Sequence, residues 1–199
     1  MDLILASKSP RRKEILENLG VKFQILTLET DESTNEPCPQ KYVEELARRK
    51  GDAVRQLMLS NGSMTDDTVI LACDTVVVSP DGEIMGKPCD EADARRMLLS
   101  FSGKSHRVIS GIALLSKSTC VTASETTFVF FDSVSEKDVE FYVSTPEPYD
   151  KAGAYAIQGY ASLWINKIDG DYFNVVGLPV KRVSDTLKTT FGLTLSDFL

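Results

Sequence analysis

Four basic side chains, Lys8, Arg11, Arg12 and Lys13, crowd into the run SKSPRRK at 7–13. A turn that leads from a short apolar strand into a helix opening at Pro10 would aim unpaired backbone N–H groups at an anion. The helix dipole acts in the same direction, and arginine adds a planar fork that matches phosphate oxygens. Cations in a first helical turn oppose that dipole at roughly 0.3–1 kcal/mol each, so an anion is expected to offset them. At about 100° per residue, Arg12 falls within the apolar stripe made by Ile15, Leu16 and Leu19 and is expected to point inward. The plain alternatives are a solvated basic patch, or Arg12 paired with a buried structural carboxylate.

The second candidate is Asp74, with Thr75 beside it, inside the β-branched run TVILACDTVVVS at 68–79. A carboxylate in such a run is costly unless it is hydrogen-bonded, charge-paired or bound to a metal ion. If the strand bends or ends there, Asp74 emerges at the sheet edge, where α/β proteins bind ligands, and suits a general base or a metal ligand. A strand-end aspartate capping a neighbouring turn is the plain alternative. Glu29, Asp31 and Glu32 cluster after the second strand and supply hard oxygen ligands of the kind Mg²⁺ or Mn²⁺ prefers, although such a loop is also simply solvated in many proteins. Lys87 sits in the constrained turn Gly86-Lys87-Pro88, and Lys50 follows Arg48 and Arg49 in a long helix. The segment KAGAYAIQG at 151–159 spaces small residues around Gln158, whose amide can read the edge of a base. His106 is the only histidine, and with no evident nucleophile partner it is expected to be structural. Neither GxxxxGK[ST] nor GxGxxG is present, which argues against a P-loop kinase or a dinucleotide enzyme.

The elements that must position these residues alternate in type, as in an α/β protein. Leu3 to Ala6 and Phe23 to Leu28 read as strands around a helix that opens at Ser9-Pro10 and closes at Gly20. Pro39 opens a longer helix to about Leu59. The strand at 68–79 is continuous rather than alternating, as if buried on both faces. Asp90 and Asp93 start a helix through Leu99; Arg107–Leu115 and Val121–Phe131 read as a hairpin; Ser135 and Asp138 cap another helix to about Val143. Ala161–Ile168 reads as a last strand and Pro179 opens a closing helix that ends near Gly192, so the sheet is expected to be mixed. The 199 residues carry 22 Lys plus Arg against 29 Asp plus Glu, a net charge of −7, which argues against nucleic acid or an anionic membrane as partner. No apolar segment is long enough to span a bilayer. The four cysteines contain no CxxC pair, as expected of a reduced, cytoplasmic protein.

Taken in order, ASKSPRRKEIL at 6–16, Asp31-Glu32, LARRK at 46–50, ACDTVVV at 72–78, GKP at 86–88, FSGKSHRVISG at 101–111, EPYDKAGAYAIQG at 147–159 and VVGLP at 175–179 resemble the Maf (septum formation inhibitor-like) nucleotide pyrophosphatases over nearly the whole chain. The resemblance implies a single domain over 1–199 of Maf/ITPase-like fold, with a long mixed twisted sheet flanked by helices and two lobes around a central cleft. It implies hydrolysis of a nucleoside triphosphate to its monophosphate and pyrophosphate, with a divalent cation, Mg or Mn, as cofactor. By the same resemblance Asp74 is the proton acceptor, Ser7, Arg12, Lys50 and Lys87 hold phosphates, Glu32 helps Asp74 with the metal, and Arg11, Thr75 and Gln158 set base choice. The intact KAGAYAIQG resembles the branch acting on dTTP and UTP. Where many members have Thr-Gly, this chain has Ser110-Gly111, a change expected to leave the chemistry intact. A homodimer is a family expectation. The rival readings are a 7-methyl-GTP or an inosine/xanthosine triphosphate pyrophosphatase, and a non-catalytic nucleotide-binding regulator of septum formation.

Overall fold

The computed structural model describes residues 1–199. In chain order the elements are β1 (Asp2–Leu5), α1 (Pro10–Asn18), β2 (Gln24–Ile25), α2 (Pro39–Ser60), β3 (Thr68–Val78), β4 (Ile84–Met85), α3 (Glu91–Phe101), β5 (Ser105–Leu115), β6 (Cys120–Phe131), α4 (Glu136–Val143), β7 (Ile165–Asp169), α5 (Tyr172–Val176) and α6 (Val180–Phe191). The seven strands form one mixed sheet in the order β2-β1-β3-β5-β6-β7, with β4 paired to β3. β1 runs parallel to β2 and β3, whereas β4 is antiparallel to β3 and β7 to β6. The expected α/β fold with a mixed sheet is what the structure shows. By contact the chain divides into two compact units, one of Met1–Asp74, Ser110–Glu125 and Gly177–Leu199, the other of Thr75–Ile109 and Thr126–Val176.

In the first unit, parallel pairing of β1 with β3 sets Ile4 opposite Ile70 and Leu5 opposite Leu71. Alternate residues of these strands, Ile4, Ala6, Ile70 and Ala72, form one core with Ala47, Val54 and Met58 of α2 and with Ala113 and Leu115 of β5. The helix lies very close to the sheet because two glycines leave room for it. A Cβ on Gly51 would overlap Leu115 Cδ1 and stand 3.4 Å from Ala72 Cβ, and one on Gly111 would overlap the backbone at Val43 and Glu44. Ala72 therefore faces α2 at Gly51. Side chains two apart in a strand share a face, so Asp74 faces α2 as well, beside the residue that precedes Gly51.

The second unit packs the α3 and α4 side chains Leu98, Phe101, Val139 and Tyr142 with Val77, Val129 and Phe131 of the strands. Both helices carry the caps their sequences announce: Asp90 accepts from the Asp93 N–H at 2.8 Å, and the Ser135 hydroxyl from the Asp138 N–H at 3.2 Å. His106 lies inside this core, 2% exposed, stacked on Phe101 at 4.1 Å and with Nε2 2.7 Å from the Tyr155 hydroxyl. Burial pushes its pKa down to about 3, so the ring is neutral, as expected of a structural histidine.

Three elements differ from the sequence expectation. β2 is confined to Gln24–Ile25 rather than 23–28: it is the outermost strand, and its ladder stops with β1 at Leu5↔Ile25. The last strand begins at Ile165 rather than at 161, since its pairing with β6 ends at Phe131↔Ile165. Residues Tyr160–Leu163 instead close a 3₁₀ turn. The strand around Asp74 neither bends out nor ends there; β3 continues to Val78, with Asp74 only 9% exposed.

Candidate active site

Two clusters meet the middle of β3 on consecutive residues. Ser7, buried just beyond the end of β1, accepts a hydrogen bond from Arg12 Nη1 at 2.9 Å. Arg12 points inward from the first turns of α1, as its place on the apolar stripe requires, and its fork grips backbone. Nη1 donates to the Cys73 carbonyl at 2.7 Å and Nε to the Gly177 carbonyl at 2.8 Å. The acceptors that meet Arg12 here thus include a hydroxyl and two peptide oxygens. Ser9 occupies the N-cap position of α1 without a side-chain cap; its N–H donates to Ser7 Oγ at 3.3 Å.

One residue further along β3, the Asp74 carboxylate meets Lys50, which α2 presents across the close approach at Gly51. Nζ of Lys50 stands 2.6 Å from Asp74 Oδ1 and 2.9 Å from Glu32 Oε1. Side-chain exposure is 19% for Lys50 and 12% for Asp74 but 61% for Glu32, so the pair is internal and Glu32 reaches it from the solvent side. Burial alone would lower the Lys50 pKa. The Asp74 charge, with hydrogen bonds to Asp74 and Glu32, outweighs burial and raises it above the ordinary lysine value.

The acidic loop that carries Glu32 is held down by the residue before Lys50. Arg49 Nη1 donates to the carbonyls of Ser33 at 2.7 Å and Asp31 at 3.2 Å, and the Asp31 carboxylate accepts from the Ser33 N–H at 2.8 Å. Lys8 forms an ion pair with Glu29 of the same loop. Arg48 instead pairs along the helix with Glu45 and Asp52. The three basic residues of LARRK thus have three different tasks, of which only that of Lys50 is directed at Asp74.

Tyr42 stands on α2 two helical turns before Lys50, where no sequence motif assigns it a role. It is half-buried, and its phenol pKa is raised by burial first and then by the charges of Asp74 and Glu32, with Lys50 opposing. An aromatic residue at helical spacing from a buried lysine is the only signal that could have singled it out. Arg11 is half-buried at the start of α1. Thr75, Lys87 and Gln158 belong to the second unit. There the Gly86 carbonyl accepts from the Gly153 N–H at 2.9 Å, which ties the turn bearing Lys87 to the segment bearing Gln158, and both side chains are exposed.

Nowhere do three or more His, Cys, Asp or Glu side chains form a ready metal cage. The donor set still suits Mg²⁺ or Mn²⁺. Glu32 and Asp74 bring hard carboxylate oxygens to a single cation, the Lys50 ammonium, and Mg²⁺ is usually held by one or two carboxylates with its other places filled by water and substrate phosphate. No helix is long and apolar enough to cross a membrane, and all four cysteines are free.

The chain is similar to several curated proteins named dTTP/UTP pyrophosphatase. The one from Clostridioides difficile is 46% identical over 200 residues, covering 98% of each chain. That from Caldanaerobacter subterraneus is 44% identical over 97% of this chain and 91% of its own, and that from Thermosipho africanus 46% identical over 94% and 92%. Among solved structures, the Ham1 protein of Staphylococcus aureus aligns at 12% identity with a TM-score of 0.45, covering 66% of this chain and 72% of that one. The family model described as Maf-like protein matches residues 2–190. With the motifs in order, relatives matching over nearly their full length and the family model spanning almost the entire sequence, the chain belongs to the Maf-like protein family.

Proposed function

We propose that this protein hydrolyses dTTP and UTP between the α- and β-phosphates, releasing the nucleoside monophosphate and pyrophosphate. The observation that carries the reading is the juxtaposition on β3: a buried carboxylate, Asp74, paired with Lys50, one residue from the carbonyl that fixes the Arg12 guanidinium. The relatives' shared name, at 44–46% identity, supports the same reaction and the same substrates.

The chemistry follows from charge. A triphosphate carries about four negative charges, and a protein of net charge −7 must meet them with focused cations rather than with its general field. Ser7, Arg12 and Lys50 supply hydroxyl, guanidinium and ammonium within one neighbourhood. Water attacks the α-phosphorus in line with the departing pyrophosphate, and Asp74 accepts its proton. Basic side chains held in advance by the fold stabilise the charge that develops on the leaving group without reorganising. Magnesium or manganese, held by Glu32 and Asp74, would neutralise phosphate charge and polarise the phosphoryl group.

The test is pyrophosphate release from dTTP, UTP, ITP and 7-methyl-GTP, with a coupled inorganic pyrophosphatase, with and without EDTA added before the coupling step. Turnover led by dTTP and UTP and abolished by EDTA is expected. Preference for a purine nucleotide, or binding without turnover, would overturn the assignment.

A further inference from the structure

Lys50 stands in an unusual place for a phosphate ligand. Its ammonium is committed to two carboxylates, Asp74 at 2.6 Å and Glu32 at 2.9 Å, and only 19% of the side chain is exposed. These are the same two carboxylates whose chemistry suits a divalent cation. The internal cation therefore satisfies the charge that a metal ion would satisfy. A lysine and a divalent ion cannot both lie between these oxygens, because the like charges would repel at short range in a partly desolvated site.

We propose that Lys50 is a built-in counter-ion that closes the Glu32–Asp74 pair to free divalent metal and releases it when a triphosphate draws the ammonium away. The metal is then taken up with the nucleotide rather than before it. This rests on the pyrophosphatase reading only for the identity of the displacing anion.

Three features of the first unit support the exchange. The helix backbone at Lys50 is fixed by the close approach of Gly51 to Ala72 and Leu115, while the lysine's four-carbon stem can swing without moving α2. Glu32 is 61% exposed on a loop separately anchored by Arg49, so breaking its contact with Lys50 does not free the loop. The Ser7 hydroxyl and Arg12 guanidinium lie at the neighbouring residue of β3, where phosphate groups would compete for the ammonium. The device would keep two carboxylates from capturing stray cations, and it would couple metal entry to substrate.

The experiment is a Mn²⁺ titration of the full chain, followed by the electron paramagnetic resonance signal of free Mn²⁺. Without nucleotide, wild type is expected to bind weakly, whereas Lys50→Met and Lys50→Gln bind at least roughly 10-fold more tightly, since a neutral side chain removes the competing charge. Lys50→Arg keeps the charge and should gain nothing. Adding Glu32→Gln to Lys50→Met should abolish the gain. In wild type, an α,β-imido analogue of dTTP should lower free Mn²⁺ beyond what the same concentration of analogue chelates without protein, and Glu32→Gln should lose that excess. Two neutral variants guard against one failing to fold, which circular dichroism reports. Equal Mn²⁺ affinity in wild type and a folded neutral variant overturns the counter-ion role. Wild type inactive on dTTP and UTP, with the gain still seen in the neutral variants, overturns the pyrophosphatase reading and leaves the counter-ion role standing.

Discussion

Asp74 and His106 are both ionisable, both lie in long strands of one sheet, and both are nearly out of solvent, at 9% and 2% exposed. The first unit gives Asp74 an ammonium at 2.6 Å, so the carboxylate has a counter-charge within its own site. The second unit gives His106 only aromatic rings and a phenol, and the imidazole gives up its charge instead. Burial alone does not distinguish a site from a core. What distinguishes these two is whether the fold supplies a partner of opposite charge, which offsets the cost of burying an ionisable group.

The largest expected effect lies on the charged side of this comparison. Asp74→Asn keeps the shape of the side chain and removes its charge, so nucleotide affinity should hold while kcat falls by at least roughly 100-fold, the scale of a lost general base. Pyrophosphate release from dTTP and UTP measures it. Unchanged turnover would break the contrast at its functional end, making Asp74 as structural as His106.

Arg12→Lys comes next. Lysine cannot reproduce a fork that spans a hydroxyl and two carbonyls, so loss of these bonds should cost about 1–3 kcal/mol of stability, read from urea denaturation. A variant as stable as wild type would mean that the peptide oxygens of Cys73 and Gly177 are easily satisfied by other donors.

The neutral side is sharpened by pH. His106 has a folded-state pKa of about 3, below the unfolded value near 6.5, so below 6.5 the unfolded chain takes up a proton that the folded chain refuses. Its contribution is complete above 6.5 and is lost as pH falls toward 3. Between pH 7 and pH 5, before most carboxylates titrate, this amounts to about 2 kcal/mol. His106→Asn, which offers Tyr155 a polar partner but does not titrate, should flatten that part of the stability profile whatever its absolute stability. An unaltered slope would mean that the imidazole is charged in the fold.

Much of this arrangement was legible before the structure, and the part that was not shares a physical reason. The β-branched run at 68–79, the caps at Asp90 and Ser135 and the prolines opening α1 and α2 are local signals, and each marks its element. Asp74 and Lys50 each stood out as residues, but their contact joins positions 24 apart through the approach of α2 to the sheet, which Gly51 and Gly111 permit and no motif announces. Arg12 was expected to turn inward, yet two of the acceptors it meets are the peptide carbonyls of Cys73 and Gly177, which have no side-chain signature at all. The ends of β2 and β7 were misplaced because pairing partners, not propensity, decide where an outer strand stops.

The smallest effect is expected where the charges are most exposed. Lys8 and Glu29 form an ion pair, and the lysine holds the glutamate below the usual carboxylate range, by its hydrogen bond first and its charge second. Their side chains are nevertheless 65% and 91% exposed, and an exposed pair gains little because water and salt screen it. Lys8→Ala should leave Tm within measurement scatter and leave kcat and KM for dTTP unchanged. The same acidic loop is held from α2 by Arg49 on two carbonyls and by Lys50 on Glu32, contacts that Lys8→Ala does not touch. A clear rise in KM without loss of Tm would show that Lys8, rather than the two α2 cations, sets the loop's position, and would extend the working set of charges from the buried pair out to the solvent edge.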